Sequence, residues 1–341
     1  MTPTHRFAVF FAVAGFALSQ PADALADKPG QAKFKIKPDF LIQTRMTYLS
    51  QRNDTTVGLP RARFGLEGKL KGMLEAELSL GFDDFALELK DAYADVFAYG
   101  HALRVKVGHF KRPFSRERLT SGARIGGVER MLIRGEFDQG RDLGVMLHNG
   151  LTDRDGFEWA FGVFTDFDLD EFDPAVGELG VRPTLALRLG YNTKGLEGYR
   201  ETDEDRGPFR FGVGASGLVF LETSDSAPGR RGYRWNVDAI AKVRGVTAAA
   251  ALFGRIRELS GGHDALGAYA HVAYRLASLE ELEVALRYGG LLPDSGTKEH
   301  EATLGINTYF FSDHLMVKAD GGVLVGDGGN DYRFRLQVQV R

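Results

Sequence analysis

The sequence predicts an all-β protein: a transmembrane antiparallel β-barrel of about 16 strands, spanning 27–341 behind an export signal at 1–26. Three observations carry this. Apolar and polar residues alternate along most of the chain, so each stretch has one apolar and one polar face. The stretches run about 9–13 residues, enough to cross hydrocarbon at a tilt. Long connections gather on one side and tight turns on the other.

Composition agrees. Glycine is abundant at 43 residues against 11 prolines, with 25 phenylalanines, as in chains of many short strands. Mean hydropathy of −0.20 excludes a bundle of membrane helices. A net charge of −3 gives no global reason to expect nucleic acid as a partner. The absence of cysteine removes disulfides, thiolate metal sites and thiol nucleophiles.

The elements follow in order. His5 and Arg6 precede an apolar run from Phe7 to Ser19, and Ala24-Leu25-Ala26 is a small-x-small cleavage site, so the mature chain begins near Asp27. The first strands are expected at 34–49, 61–70, 73–82, 86–98 and 102–110. Within 61–71, Ala62, Phe64, Leu66 and Leu70 oppose Arg61, Arg63, Glu67, Lys69 and Lys71. The next are expected at 141–150, 157–165, 182–193, 208–220, 233–243 and 246–258. The last are 265–276, 281–291, 300–310, 315–325 and 332–340. In the final one, Tyr332, Phe334, Leu336, Val338 and Val340 oppose Arg333, Arg335, Gln337, Gln339 and Arg341.

A soluble sandwich or propeller would turn the apolar faces inward, whereas a membrane barrel turns them to lipid. The other face here is charged and glycine-rich, as in a wet interior, which favours the barrel, and closure leaves no strand edge for lipid to meet. The links 50–60, 111–140, 166–181, 221–232, 259–264 and 292–299 fall on one side. Lys71-Gly72, Tyr99-Gly100-His101, Arg244-Gly245 and Phe311–His314 fall on the other. The link 194–207 breaks the pattern. Trp159, Trp235 and the many Phe and Tyr read as interfacial girdles.

The link 111–140 is the longest, and loops of that length are functional or tucked into something. Leu119, Ile125, Val128, Met131 and Leu132 suit a short helix or a folded loop. Residues 104–134 hold nine Arg and Lys against two carboxylates, a net of +7, while 153–178 hold one Arg against nine carboxylates, a net of −8. The bland total hides a separation of signs. Arg presents fixed donors suited to oxyanions and Lys a mobile point charge. The expected constriction residues are Lys111, Arg112, Arg116, Arg124, Arg130 and Arg134. Arg61, Arg63, Arg104 and Lys106 are expected to form a ladder down the lumen, continued by Arg188, Arg287, Arg333 and Arg335. Each of these can equally latch loop to wall, because Glu67, Glu75, Glu77 and Glu283 face the same interior. Arg141-Asp142 reads as securing the loop's return, Pro113 as ending a strand, and His109 as structural.

Other motifs fail. Gly212–Gly217 spells GxGxxG, but Leu218-Val219-Phe220 continue a strand and provide no helix N-terminus. Asp166, Asp168 and Asp170 start an EF-hand-like spacing that breaks at Glu171 and Gly177. No cofactor is implied. The partners expected are the lipid bilayer, lipopolysaccharide and small anions.

Val107-Gly108-His109-Phe110-Lys111-Arg112-Pro113-Phe114-Ser115, Glu117, Leu119-Thr120-Ser121, Glu129-Arg130 and Gly140-Arg141-Asp142-Leu143-Gly144-Val145 resemble the hallmark stretch of the phosphate-selective porin O and P family. Arg61–Gly68 and Lys90-Asp91-Ala92-Tyr93 resemble its earlier strands. The resemblance implies a sixteen-stranded, usually trimeric outer-membrane porin whose third outer loop folds inward. It also implies a path lined by Arg and Lys, with phosphate as solute. A general or cation-tolerant porin remains open, given the acidic 153–178 stretch. So does an outer-membrane barrel hydrolase, for which Ser115 and Ser121 near His109 are the candidates to check.

Overall fold

The structure is a computed structural model, and it describes residues 34–131, 137, 140–165, 183–196, 198–221, 232–257, 264–279, 281–311 and 314–341. The stretch 1–26 expected to be an export signal, Arg134 and the acidic residues 166–178 lie outside the described residues. Sixteen strands are present among them. The first five are β1 (Phe34–Leu49), β2 (Asp54–Leu70), β3 (Leu74–Asp83), β4 (Ala86–His101) and β5 (Leu103–Lys111). Then come β6 (Arg141–His148), β7 (Gly156–Phe164), β8 (Thr184–Asn192), β9 (Arg210–Phe220), β10 (Gly232–Val243) and β11 (Val246–Arg257). The last are β12 (Ala265–Arg275), β13 (Leu282–Pro293), β14 (Glu299–Phe310), β15 (Leu315–Gly326) and β16 (Gly329–Val340). Each pairs antiparallel with its sequence neighbours, and β1 closes on β16 through pairs from Ile42↔Val340 to Leu49↔Arg333, giving a closed barrel.

The barrel is inside-out relative to a water-soluble protein. Leu286 is 59% exposed while Arg287 beside it is 2% exposed; Leu187 is 46% exposed and Arg188 is 0%. An apolar belt of this extent costs about 25 cal/mol per Å² in water and requires lipid or a partner against it. Phe85, Tyr233 and Tyr332 stand exposed at one rim, and Tyr99, Phe209 and Phe311 at the other. That is the girdle arrangement expected where headgroups meet hydrocarbon.

Three details differ from the sequence expectation. Residues 54–60 continue β2 instead of forming a link, because a register shift between Gln43 and Arg45 lets β1 pair onward to Leu49↔Asp54. On the long-link side, 84–85 and 327–328 are tight turns. The interior is not uniformly wet either. Phe110, Phe164, Leu218 and Phe253 occupy inward positions and form an apolar cluster with Phe114, Met131 and Phe137 of the β5–β6 link. One glycine sets a close approach: Gly108 has φ +132°, and a Cβ there would stand 2.2 Å from Ala92 O on β4.

Candidate functional site

The β5–β6 link begins where Pro113 follows the last ladder residues. Ser115 Oγ accepts from Arg118 N and caps α1 (Arg116–Leu119), a single turn. Beyond α1 the backbone carbonyls are taken by wall side chains one after another. Gln339 Nε2 donates to Ala123 O at 3.1 Å, and Lys318 Nζ to Ile125 O at 2.7 Å. Asn307 Nδ2 donates to Gly126 O at 2.8 Å, and Arg287 Nη1 to Glu129 O at 2.5 Å. These donors stand on β16, β15, β14 and β13. Buried carbonyls must find partners, and here the wall supplies them. The approach is close enough that a Cβ on Gly126 would meet the His271 ring at 2.6 Å. Phe114, Ile125, Val128 and Met131 are buried at the same time, which accounts for the apolar residues in this otherwise basic link.

The basic residues of the link divide into two groups. Arg112 donates to Asp142 at 2.7 Å, which also ties the link's start to its return at Arg141-Asp142. Arg116 reaches Asn192 Oδ1 at 2.5 Å and lies 3.9 Å over the Tyr199 ring. Arg130 donates to Glu117 O and Thr120 O at 3.1 and 2.6 Å. All three are buried, and these bonds tie them into the link. Arg61, also buried, bonds Gln43 Oε1 at 2.7 Å and Glu129 at 2.5 Å. Arg134 lies outside the described residues. Lys111 and Arg124 belong to the second group and line an open cavity.

That cavity has a volume of about 510 Å³ and lies against β1 to β6. Arg63, Arg104 and Lys106 line it, together with Lys37, Lys69, Arg141 and Arg341. Among the described lining residues there are nine Lys and Arg against six Asp and Glu. Carboxylates fix several of these cations in place. Arg63 pairs with Asp83 at 2.5 Å, Arg141 with Asp91 at 2.7 Å, and Arg104 with Glu75 at 3.4 Å. Lys106 Nζ stands 4.0 Å over the Tyr93 ring and 3.7 Å from Asp95. Lys111 Nζ donates to Leu119 O and Thr120 O, which places its charge where the link meets the cavity. Lys37 had a signal in the sequence: Lys35, Lys37 and Asp39 alternate with Phe34, Ile36 and Phe40. Arg141 was read only as a latch, and it is both latch and lining.

On the opposite side of the barrel, inward arginines among the described residues are ion-paired. Arg188 pairs with Asp238 at 2.8 Å and Glu158 at 3.3 Å, and donates to Phe114 O. Arg335 pairs with Asp320 at 2.5 Å, and Arg333 pairs with Glu301. With Arg287 on the link backbone, the four residues expected to extend the ladder serve structural bonds instead. Tyr199 joins this network, donating to Glu158. Burial, opposed by Arg188 and Arg116 and assisted by Glu158, pushes its phenol up to about 12, so it remains a donor.

Ser115 caps α1, while His109 Nδ1 lies 2.9 Å from Lys90 O. Among the described residues, no group of His, Asp and Glu is arranged to hold a metal ion.

Residues 32–195 match the family model described as phosphate-selective porin O and P. In fold, the chain is similar to the anion-selective porin from Comamonas acidovorans, at 15% identity and TM-score 0.60, covering 90% of this chain and 99% of that one. It is also similar to OprB of Pseudomonas putida, at 12% identity and TM-score 0.62, covering 90% and 94%. A third similar structure is OmpT of Vibrio cholerae in its trimer form, at 12% identity and TM-score 0.59, covering 90% and 99%. No curated protein matches the sequence significantly.

Proposed function

We propose, from the match of residues 32–195 to the phosphate-selective porin O and P family model, that the protein is a passive outer-membrane channel for small anions, with phosphate the favoured solute. The observation that carries the reading is the cation excess lining a cavity of about 510 Å³ inside a closed barrel. Low-dielectric walls focus the field of such a lining and raise the local anion concentration. The carboxylates at Arg63, Arg104 and Arg141 hold each guanidinium at a set angle. A guanidinium has five N–H donors in a fixed fork, a geometry suited to oxyanions as well as carboxylates. No single tight site is needed. Conduction favours several moderate sites, because a solute must leave each as readily as it enters.

In this reading the 112–131 segment is the inward loop that narrows the lumen, and Lys111 and Arg124 present its charge to solute. The wall-to-link hydrogen bonds support that placement. A homotrimer in the outer membrane, surrounded by lipid and lipopolysaccharide, is the assembly proposed, in keeping with the trimer form named for the Vibrio cholerae structure. Export by cleavage near Ala26 belongs to the same proposal.

A general porin is the second reading, and a specific feature favours it: Glu67 and Glu77 stand directly opposite each other on β2 and β3 and both line the cavity. Phosphate titration against a chloride current in a planar bilayer separates the two. Block at millimolar phosphate supports the phosphate reading. Current that ignores phosphate reduces the function to general ion passage.

A further inference from the structure

The link 193–209 is long on the side where the other links are short, and it is described at every position but 197. It does not lie on the rim. Leu196, Tyr199, Glu201, Thr202 and Asp203 are all buried. Tyr199 bonds inward-facing Arg188 and Glu158, Thr202 Oγ1 lies 3.1 Å from Tyr309 Oη, and Lys242 Nζ donates to Thr202 O at 2.8 Å. Tyr199 and Arg206 are both held at positive φ, 46° and 47°, a backbone conformation that side chains other than glycine rarely adopt without compensation elsewhere.

The segment also contacts the other link. Gly126 N donates to Glu201 Oε2 at 2.7 Å, and Glu201 N donates to Arg124 O at 3.2 Å. Arg124 Nη1 reaches back to Gly198 O at 3.4 Å. Residues 112–131 leave from the long-link rim, and 193–209 from the opposite one. Two segments entering from opposite ends therefore meet around Glu201. Through Arg124, which also lines the open cavity, the junction touches the wall of the solute path.

We infer that the link 193–209 is a brace for the 112–131 segment, with Glu201 as the positioning residue, so that the width of the path is set from both ends of the barrel. Without the brace, the 122–129 stretch keeps its wall donors on β13 to β16 but loses its support from below. Arg124 then loses the backbone partner that fixes its guanidinium beside the cavity. The inference rests on the reading of the protein as a channel, but the contact itself can be tested without any current.

Two arms test it on the full-length protein reconstituted in lipid. In the first, single-channel conductance in potassium chloride is compared for the parent, Glu201→Ala and Glu201→Gln. Glutamine retains an oxygen for Gly126 N–H and restores parent behaviour, whereas alanine raises conductance about twofold with added open-channel noise. Alanine channels indistinguishable from the parent in conductance and noise overturn the inference. The second arm stands even where Glu201→Ala fails to fold. Arg124→Cys with Glu201→Cys places two thiols in a chain that has no other cysteine, and mild oxidation of the folded protein is expected to join them. Two thiols that both remain free in a folded barrel overturn the inference. A cross-link in a protein that conducts nothing upholds the brace and defeats the channel reading instead.

Discussion

Arg61 on β2 holds Glu129 of the β5–β6 link at 2.5 Å, and Arg45 on β1 holds the same carboxylate at 3.0 Å. The link leaves the wall after β5, and this junction ties it to β1 and β2, beside the open cavity. Burial raises the carboxyl's proton affinity, but the two guanidinium charges outweigh it and hold Glu129 well below the usual carboxylate range.

The pH dependence follows from that direction. A carboxylate whose folded pKa is depressed contributes stability above its unfolded value, and the contribution fades as pH falls toward the folded value. The unfolded value is about 4.3, so the junction is fully effective at neutral pH and weakens only in stronger acid. Conductance is therefore expected to hold steady from neutrality down to about pH 5 as far as this junction governs it. A step in open-channel current within that window would assign the gate to another group.

Glu129→Gln removes the charge that both arginines share. Removing one partner of a part-buried, charge-assisted pair costs about 1–3 kcal/mol. The expected outcome is a lower heat-unfolding midpoint in detergent together with a noisier, wider channel. An unchanged midpoint with unchanged noise would show that the wall donors on β13 to β16 hold the link unaided.

The two groups of basic residues differ in what their loss does. Lys111→Gln combined with Arg124→Gln is expected to lower anion-over-cation permeability about threefold while the barrel still folds. Arg112→Gln leaves Asp142, which is 0% exposed, without its guanidinium partner, and is expected to cost about 3 kcal/mol of stability. Measuring reversal potential and folded yield on both variants checks the division. Equal effects on selectivity from the two would dissolve it.

Gly108→Ala tests the hallmark stretch as structure. Its φ of +132° and the 2.2 Å approach of a Cβ to Ala92 O oppose any side chain, and the obstacle is backbone. A loss of about 2 kcal/mol or more is expected from the backbone conformation alone. A fully stable alanine variant would mean that β4 and β5 can separate locally at no cost.

The strands were legible because period two survives at almost every position. β8 was expected at 182–193 and is found at Thr184–Asn192; β12 was expected at 265–276 and is found at Ala265–Arg275. The early part of β2 was not, because the register shift opposite Gln43 and Arg45 has no signature in the residues themselves. The apolar cluster inside the barrel was written in Phe110, Phe164, Leu218 and Phe253, apolar residues on the polar face, which single-strand periodicity averages away. Which cations face solute was beyond the sequence. Arg112 and Arg124 are both arginines of the same link, and what separates them is Asp142 on β6 against Gly198 of a link from the far rim. Partners that distant in the chain carry no local pattern, and the brace at Glu201 was missed for the same reason. Only the unusual length of 194–207 marked it.

The central claim is that the open path selects anions. The most direct measurement is the reversal potential of the purified protein in a planar bilayer across a potassium chloride gradient. The lining of nine cations against six carboxylates calls for the sign of a chloride-permeable channel. A potential of the opposite sign, that of a potassium-permeable channel, would contradict the account.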